Sequence, residues 1–169
     1  MAVRLSEEEI ARLIAERKHL PRDYRMRIQM RPKRGHKERE LDVLGAKGSR
    51  FRLILRQSLL NVLDFSVILV FCPPESNQLF RLRRYNGRHG EHTNRIEGET
   101  FFDYHIHTAT ERYQELGMRE DTYAERTDQF SDLFGAIYYM LRECNFDIPA
   151  DQQTSLLEEG RDDYPRDRT

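Results

Sequence analysis

The chain has 169 residues, enough to close one hydrophobic core without a disulfide or metal to hold it, so a single domain is expected. Only 38% of the residues are hydrophobic and 34% are charged, and the longest unbroken apolar stretch, Val67 to Cys72, is too short to span a bilayer. The net charge of −1 hides an asymmetry: Arg17 to Arg56 holds 14 Lys or Arg against 4 Asp or Glu, and the remainder is acidic.

In chain order, Ser6 followed by Glu9 forms a capping-box pattern. Ile10, Leu13 and Ile14 then mark one face of a helix that Pro21 ends. Tyr24 to Arg31 alternates, with arginines and Gln29 one way and Met26, Ile28 and Met30 the other, and is predicted as a half-buried strand. Pro32 to Gly35 reads as a turn. Glu38 to Leu44 and Phe51 to Gln57 are further strands, separated by Gly45 to Ser49.

Phe65 to Phe71 is apolar and β-branched, as a central strand requires. Leu79 to Tyr85 returns as the next strand, with Arg81 and Arg83 predicted on one face. A long polar loop runs from Asn86 to Thr100, and Phe102 to His107 is one more strand. Thr108 to Leu116 is a short helix stopped by Gly117. Thr127 to Cys144 is the strongest helix, with Phe130, Leu133, Phe134, Ile137, Leu141 and Cys144 in one stripe.

The expected fold is therefore α+β: an antiparallel sheet of about five or six strands, with the N-terminal helix and a long C-terminal helix on one face. Residues 1–149 form the single domain and residues 150–169 a flexible acidic tail. Met1 to Glu16 is amphipathic and acidic, not an apolar leader, and Cys72 and Cys144 read as small buried hydrophobes. Both features place the protein in the cytoplasm, with no membrane partner.

His92, His105 and His107 carry the main chemical signal. His105 and His107 stand two apart on a strand and leave the same face, while His92 lies in the loop that leads to them. Imidazoles titrate near neutrality and suit acid–base work, and three together can hold Zn²⁺. On the plain structural alternative the two are polar residues of an exposed strand.

Arg25, Arg27, Arg31, Arg52, Arg56, Arg81 and Arg83 alternate along predicted strands and form either a basic face for phosphate or a solvated sheet surface. RNA and an acidic protein are the partners this face suggests. Absent signatures speak against ATPases, zincins, zinc fingers and serine hydrolases: there is no phosphate-binding Gly-rich loop with Lys, no His-Glu-X-X-His, no CXXC pair and no Gly-X-Ser-X-Gly. No cofactor is specified.

The run Leu79 to Gly87, then His92-Thr93-Asn94, then His105-Ile106-His107 resembles a family of uncharacterised prokaryotic proteins with an Arg-containing strand, a His-Thr-Asn loop and a His-X-His strand. The likeness covers roughly Phe65 to Phe146. More distantly, the pattern is similar to TumE-type toxins of toxin–antitoxin pairs. The resemblance implies a bacterial or archaeal protein and raises an RNA-acting, defence-related role. The co-location of imidazoles, arginines and a long polar loop suggests an RNA-directed, toxin-like ribonuclease in which His92 and His105 or His107 exchange protons as acid and base, Arg81 and Arg83 hold the scissile phosphate, and Asn94 orients substrate. The rival is a non-catalytic module that binds an acidic protein or nucleic acid through its basic face.

Overall fold

The structure is a computed structural model, and it describes residues 2–149. The acidic tail expected at 150–169 lies outside the described residues.

Helix α1 (Glu7–Ala15) starts as the sequence requires. The Glu9 amide donates to Ser6 Oγ, and the Ser6 amide donates to the Glu9 carboxylate. Its apolar face, Ile10, Leu13 and Ile14, is buried. The short strand β1 (Lys18–His19) follows. Next comes α2 (Tyr24–Arg27), where a strand was predicted. Over so short a run, alternation and helical spacing are both satisfied. What decides is that Tyr24 at 1% exposure enters the core, Ile28 packs beside it four residues on, and Arg27 pairs with Asp23 at i,i+4. Met26 is left 72% exposed. Arg25 and Arg27 are thereby removed from the expected sheet-face row.

Strands β2 (Arg31–Lys33), β3 (His36–Gly45), β4 (Arg50–Ser58), β5 (Phe65–Cys72) and β6 (Phe80–Asn86) build the sheet. A two-stranded ribbon follows, β7 (His92–Asn94) and β8 (Glu99–Phe101), within the segment predicted as loop. Then come β9 (His105–Thr108), α3 (Glu111–Glu115), β10 (Ala124–Arg126), α4 (Leu133–Glu143) and β11 (Phe146–Asp147).

The main sheet has nine strands, not five or six: the order is β10-β9-β6-β5-β4-β3-β1-β11, with β2 paired to the start of β3, His36 to Glu38. The extra strands are two- and three-residue pieces, too short to show a period in sequence. Pairing is antiparallel except between β1 and β11. Thus α+β holds, with helices on one sheet face: α1 and α4 contribute Ile10, Leu13, Leu133, Ile137 and Leu141 to a core with Phe51, Leu53, Leu55, Val67 and Leu69. Helix α4 is shorter than predicted because Asp132 caps it, accepting from the Gly135 amide. Phe134, expected in the buried stripe, is 41% exposed.

Lys18 joins the two helices. Its side chain has no solvent exposure, yet Nζ lies within hydrogen-bond distance of four carbonyls: Leu13, Ile14 and Glu16 at the end of α1, and Cys144 at the end of α4. The ammonium also sits 4.6 Å from the Phe51 ring centroid. Cationic charge at two helix C-termini opposes both dipoles and satisfies carbonyls that have no partner within their helix. Burial pushes the Lys18 ammonium down to about 8, so it is still protonated at pH 7. Replacing Lys18 by Met keeps the stem and strips the donors from buried acceptors. The expected loss is about 3 kcal/mol or more, read as a lower urea midpoint with an unchanged slope. An unchanged midpoint would mean the lysine holds nothing together.

Candidate functional site

The site depends on an irregularity in β6. Register with β5 shifts between Leu69 and Val70, so Leu82 is an extra residue opposite them. Before the bulge Phe80 pairs with Phe71 and Arg81 with Val70. After it Arg83 pairs with Leu69, Arg84 with Ile68, and Tyr85 with Val67. Leu69 and Val67 face the helices, so Arg83 and Tyr85 do too. Arg81, Arg84 and Asn86 face the other way.

Strand β9 pairs with β6 so that His107 stands opposite Arg84 and His105 opposite Asn86. Both imidazoles therefore lie on the sheet face away from the helices. Strand β10 closes the edge, with Ala124 opposite His107 and Arg126 opposite His105.

The chain then folds over this face. Gly87 makes the turn possible: a Cβ there would stand 1.9 Å from the Leu63 carbonyl oxygen. The β7–β8 ribbon follows and lays His92 over the other two rings. Ring centroids are 5.4 Å apart for His92 and His105, 4.8 Å for His92 and His107, and 4.9 Å for His105 and His107. Phe101 of β8 closes one side, 5.4 Å from His92 and 5.6 Å from His105.

The hydrogen bonds fix the tautomers. Asn94, fully buried, forms a reciprocal pair with the Ala124 backbone: its Nδ2 donates to the carbonyl at 2.8 Å and its Oδ1 accepts the amide at 2.9 Å. That pair sets the amide orientation. His92 Nε2 lies 2.9 Å from the same Oδ1, which can only accept, so Nε2 carries the proton and Nδ1 a free lone pair. His105 Nδ1 donates to the Asp103 carbonyl at 2.8 Å, which leaves Nε2 unprotonated. That nitrogen has only a long contact, 3.4 Å, to the Asn86 amide. His107 bonds the Asp121 backbone, while its Nδ1 is buried without a partner; by elimination the bond belongs to Nε2. Each ring thus spends one nitrogen on a carbonyl oxygen and keeps a lone pair on the other.

The electrostatics keep His105 and His107 neutral. His105 and His107 are 5% and 3% exposed. Burial pushes the His105 imidazole down to about 4, with the Asp103 carbonyl acting the other way and the neighbouring His92 and Arg84 adding to the fall. Burial pushes His107 down to about 2, helped by Arg84 and His105. The guanidinium of Arg84 adds to the cost of a proton on either ring. Its partner is Asp121, whose fully buried carboxylate lies 3.1 Å from Arg84 Nε and 2.5 Å from Arg119 Nε.

Of the residues singled out in sequence, His92, His105, His107 and Asn94 come together. Asn94 is a buried pin for His92 and β10, not an exposed contact. Arg81 is on the histidine face, but its backbone amide donates to Glu120 and its guanidinium lies 3.8 Å from the same carboxylate. Arg83 is on the opposite face, with Glu143 and Tyr85 as partners. Sequence reasoning missed Asn86, Phe101, Arg84 and Asp121. Asn86 and Arg84 were findable from alternation only with the bulge in hand; Asp121 sits in a turn that no period marks.

No family model, curated protein or solved structure matches the chain.

The neutral imidazoles make stability fall with acid. Both folded-state values lie below the unfolded value of 6.5, so under that pH the unfolded chain takes up protons that the folded chain refuses. Each histidine costs up to about 1.4 kcal/mol per pH unit below 6.5. Urea unfolding with a chelator present should therefore lose on the order of 3 kcal/mol between pH 7 and pH 5. Stability that stays flat over this window in the wild type would contradict burial of neutral rings. A His105→Asn/His107→Asn double variant should lose less than the wild type.

Proposed function

We propose that the protein binds one divalent transition-metal ion, zinc by preference, through His92 Nδ1, His105 Nε2 and His107 Nδ1. The supporting observation is the histidine triad itself: the three rings each offer a nitrogen, and these lie within 4.8 Å of one another. Zinc with Zn–N of about 2.0–2.1 Å needs such atoms about 3.3 Å apart. Closing that gap takes small ring and ribbon movements, mainly of half-buried His92. Three further features favour a metal. The second ring nitrogens are oriented by carbonyl oxygens, as metal-bound histidines require. His107 Nδ1 is a buried acceptor with nothing to accept from, a cost that a metal bond removes. Burial keeps His105 and His107 neutral at pH 7, so these two rings give up no proton on binding.

Three protein ligands leave a coordination position for water, the arrangement of catalytic and not structural zinc. Held by His92, His105 and His107, a zinc ion would supply Lewis-acid activation of water, and the chemistry open to the site would be metal-assisted hydrolysis. This differs from imidazole acid–base catalysis, which needs one ring to hold a proton at working pH. Exposed Arg126, which lies against the Phe101 ring beside His92 and His105, suits an anionic substrate, and an RNA phosphodiester is the first to try.

Purified full-length chain, stripped and titrated with Zn²⁺ or Co²⁺, should bind about one equivalent and gain thermal stability. Co²⁺ should give the visible spectrum of a low-symmetry nitrogen site. His107→Ala and His105→Ala should each abolish binding, and Asn94→Ala should weaken it by about 10–100-fold. Failure of Zn²⁺, Co²⁺ and Ni²⁺ alike to bind at micromolar concentration ends this reading. Stoichiometric binding with no cleavage of single-stranded RNA would keep the centre and remove that substrate.

A further inference from the structure

The geometry points to a second functional surface: the end of the sheet at the β4–β5 turn docks on an anionic lipid surface, with Leu60 and Val62 inserted at the interface.

The β4–β5 turn displays Leu59, Leu60, Val62 and Leu63 at 52%, 95%, 70% and 37% exposure. Four aliphatic side chains in five residues, held in water, are a standing cost to a monomer. The turn is nevertheless built firmly. Ser58 Oγ accepts from the amides of Leu60 and Asn61, Asn61 Oδ1 accepts from the Leu63 amide, and Gln57 Nε2 donates to the Val62 carbonyl. The side chains are therefore presented in a fixed arrangement and do not fold back.

Cations flank the tip on both sides. The Leu59 amide donates to the Gly35 carbonyl, which ties the tip to the β2–β3 turn and its exposed Lys33 and Arg34. Gly87 packs against the Leu63 carbonyl on the other side and leads to exposed Arg88. Arg88 Nε donates to the Phe102 carbonyl, and its guanidinium lies 5.3 Å from the 47%-exposed Phe102 ring. Exposed Arg56, next to the tip on β4, adds a fourth cation. Against these stand Glu38, which pairs with Lys33, and Asp64, which lies 3.6 Å from His89.

An aliphatic tip with cationic shoulders matches the layering of an anionic bilayer: acyl chains within, phosphates at the rim. A protein partner would need a shaped apolar socket with acids placed around it, whereas the bilayer makes no demand on shape. No described helix is long and apolar enough to cross a membrane, so the contact is peripheral.

Sedimentation of the full chain with vesicles of phosphatidylglycerol in phosphatidylcholine, at low salt, reads the interaction. Binding is expected on these vesicles and at least about tenfold weaker on phosphatidylcholine alone. It should also fall at least about tenfold in a Leu60→Asp/Val62→Asp variant, and fall with added salt. Both side chains are exposed, so the variant should fold, and an unchanged thermal midpoint verifies this. No binding to anionic vesicles overturns the proposal. So does binding that the double variant retains, or tighter binding of single-stranded RNA that Leu60→Asp/Val62→Asp leaves unaltered. Replacing all three histidines by Ala should leave vesicle binding intact, which separates this surface from the metal reading.

Discussion

One extra residue in β6 sorts the chemistry of this protein. Leu82 breaks the register against Leu69 and Val70, and the strand reverses its faces there. Without the bulge, strict alternation would send Arg84 and Asn86 toward the helices along with Phe80 and Leu82. Tyr85, fully buried beside Phe130 and hydrogen-bonded to Glu143, would face the other side. With it, Tyr85 enters the core, and Asn86 and Arg84 stand opposite the two strand histidines. The same device turns Arg83 away from the histidines and toward α4. A single backbone irregularity thus decides which side chains meet the imidazoles and which support the core.

The histidine site runs against the usual economy of a core. Two rings are buried, at the cost of their protonated forms, and one ring nitrogen is left with no partner. The surroundings are arranged to hold that state. Asp121 is buried beside Arg84 and offsets its charge near His107, while its backbone fixes the tautomer of the ring. Asn94 bonds the Ala124 backbone twice, and so anchors a three-residue strand that could not hold its place by pairing alone. Such a network rigidifies when every member is satisfied. Here two members fall short: His107 Nδ1 has no partner, and buried Arg84 Nε has an ion pair with Asp121 in place of a hydrogen bond.

Much of this was legible from residue types. The capping box at Ser6, the apolar alternation of β4 and β5, and the pairing of His105 with His107 on one face follow from local rules that tertiary packing does not override. What failed was local evidence that served two structures. Tyr24 to Arg31 alternates, yet Tyr24 and Ile28 also share a helix face, and burial of Tyr24 chose the helix. The bulge at Leu82 carries no glycine or proline to announce it. Strands β1, β10 and β11 are too short to have a period, and their pairing is set by partners distant in sequence. Asp121 and Asn86 belong to the histidine environment only through these non-local pairings.

The basic first third shows why charge counts alone say little about partners. Lys18 is wholly internal. Arg17 pairs with Asp147, Arg27 with Asp23, Lys33 with Glu38 and Arg52 with Asp42. Several of the cations that make the segment basic are therefore engaged by the protein's own carboxylates or carbonyls. A continuous phosphate-binding face, as the alternating arginines suggested, does not form: Arg25 and Arg27 are on a helix and Arg83 is on the far side of the sheet. Arg34, Arg56 and Arg88 remain exposed around the β4–β5 tip. Other cations, among them Lys47 and Arg50, are exposed at the opposite end of the same strands. The β4–β5 tip adjoins the histidines, because Gly87, packed against Leu63, directly follows Asn86, the residue opposite His105. Loop residues 87–104 therefore serve both places, carrying His92 to the triad and Arg88 and Phe102 to the surface.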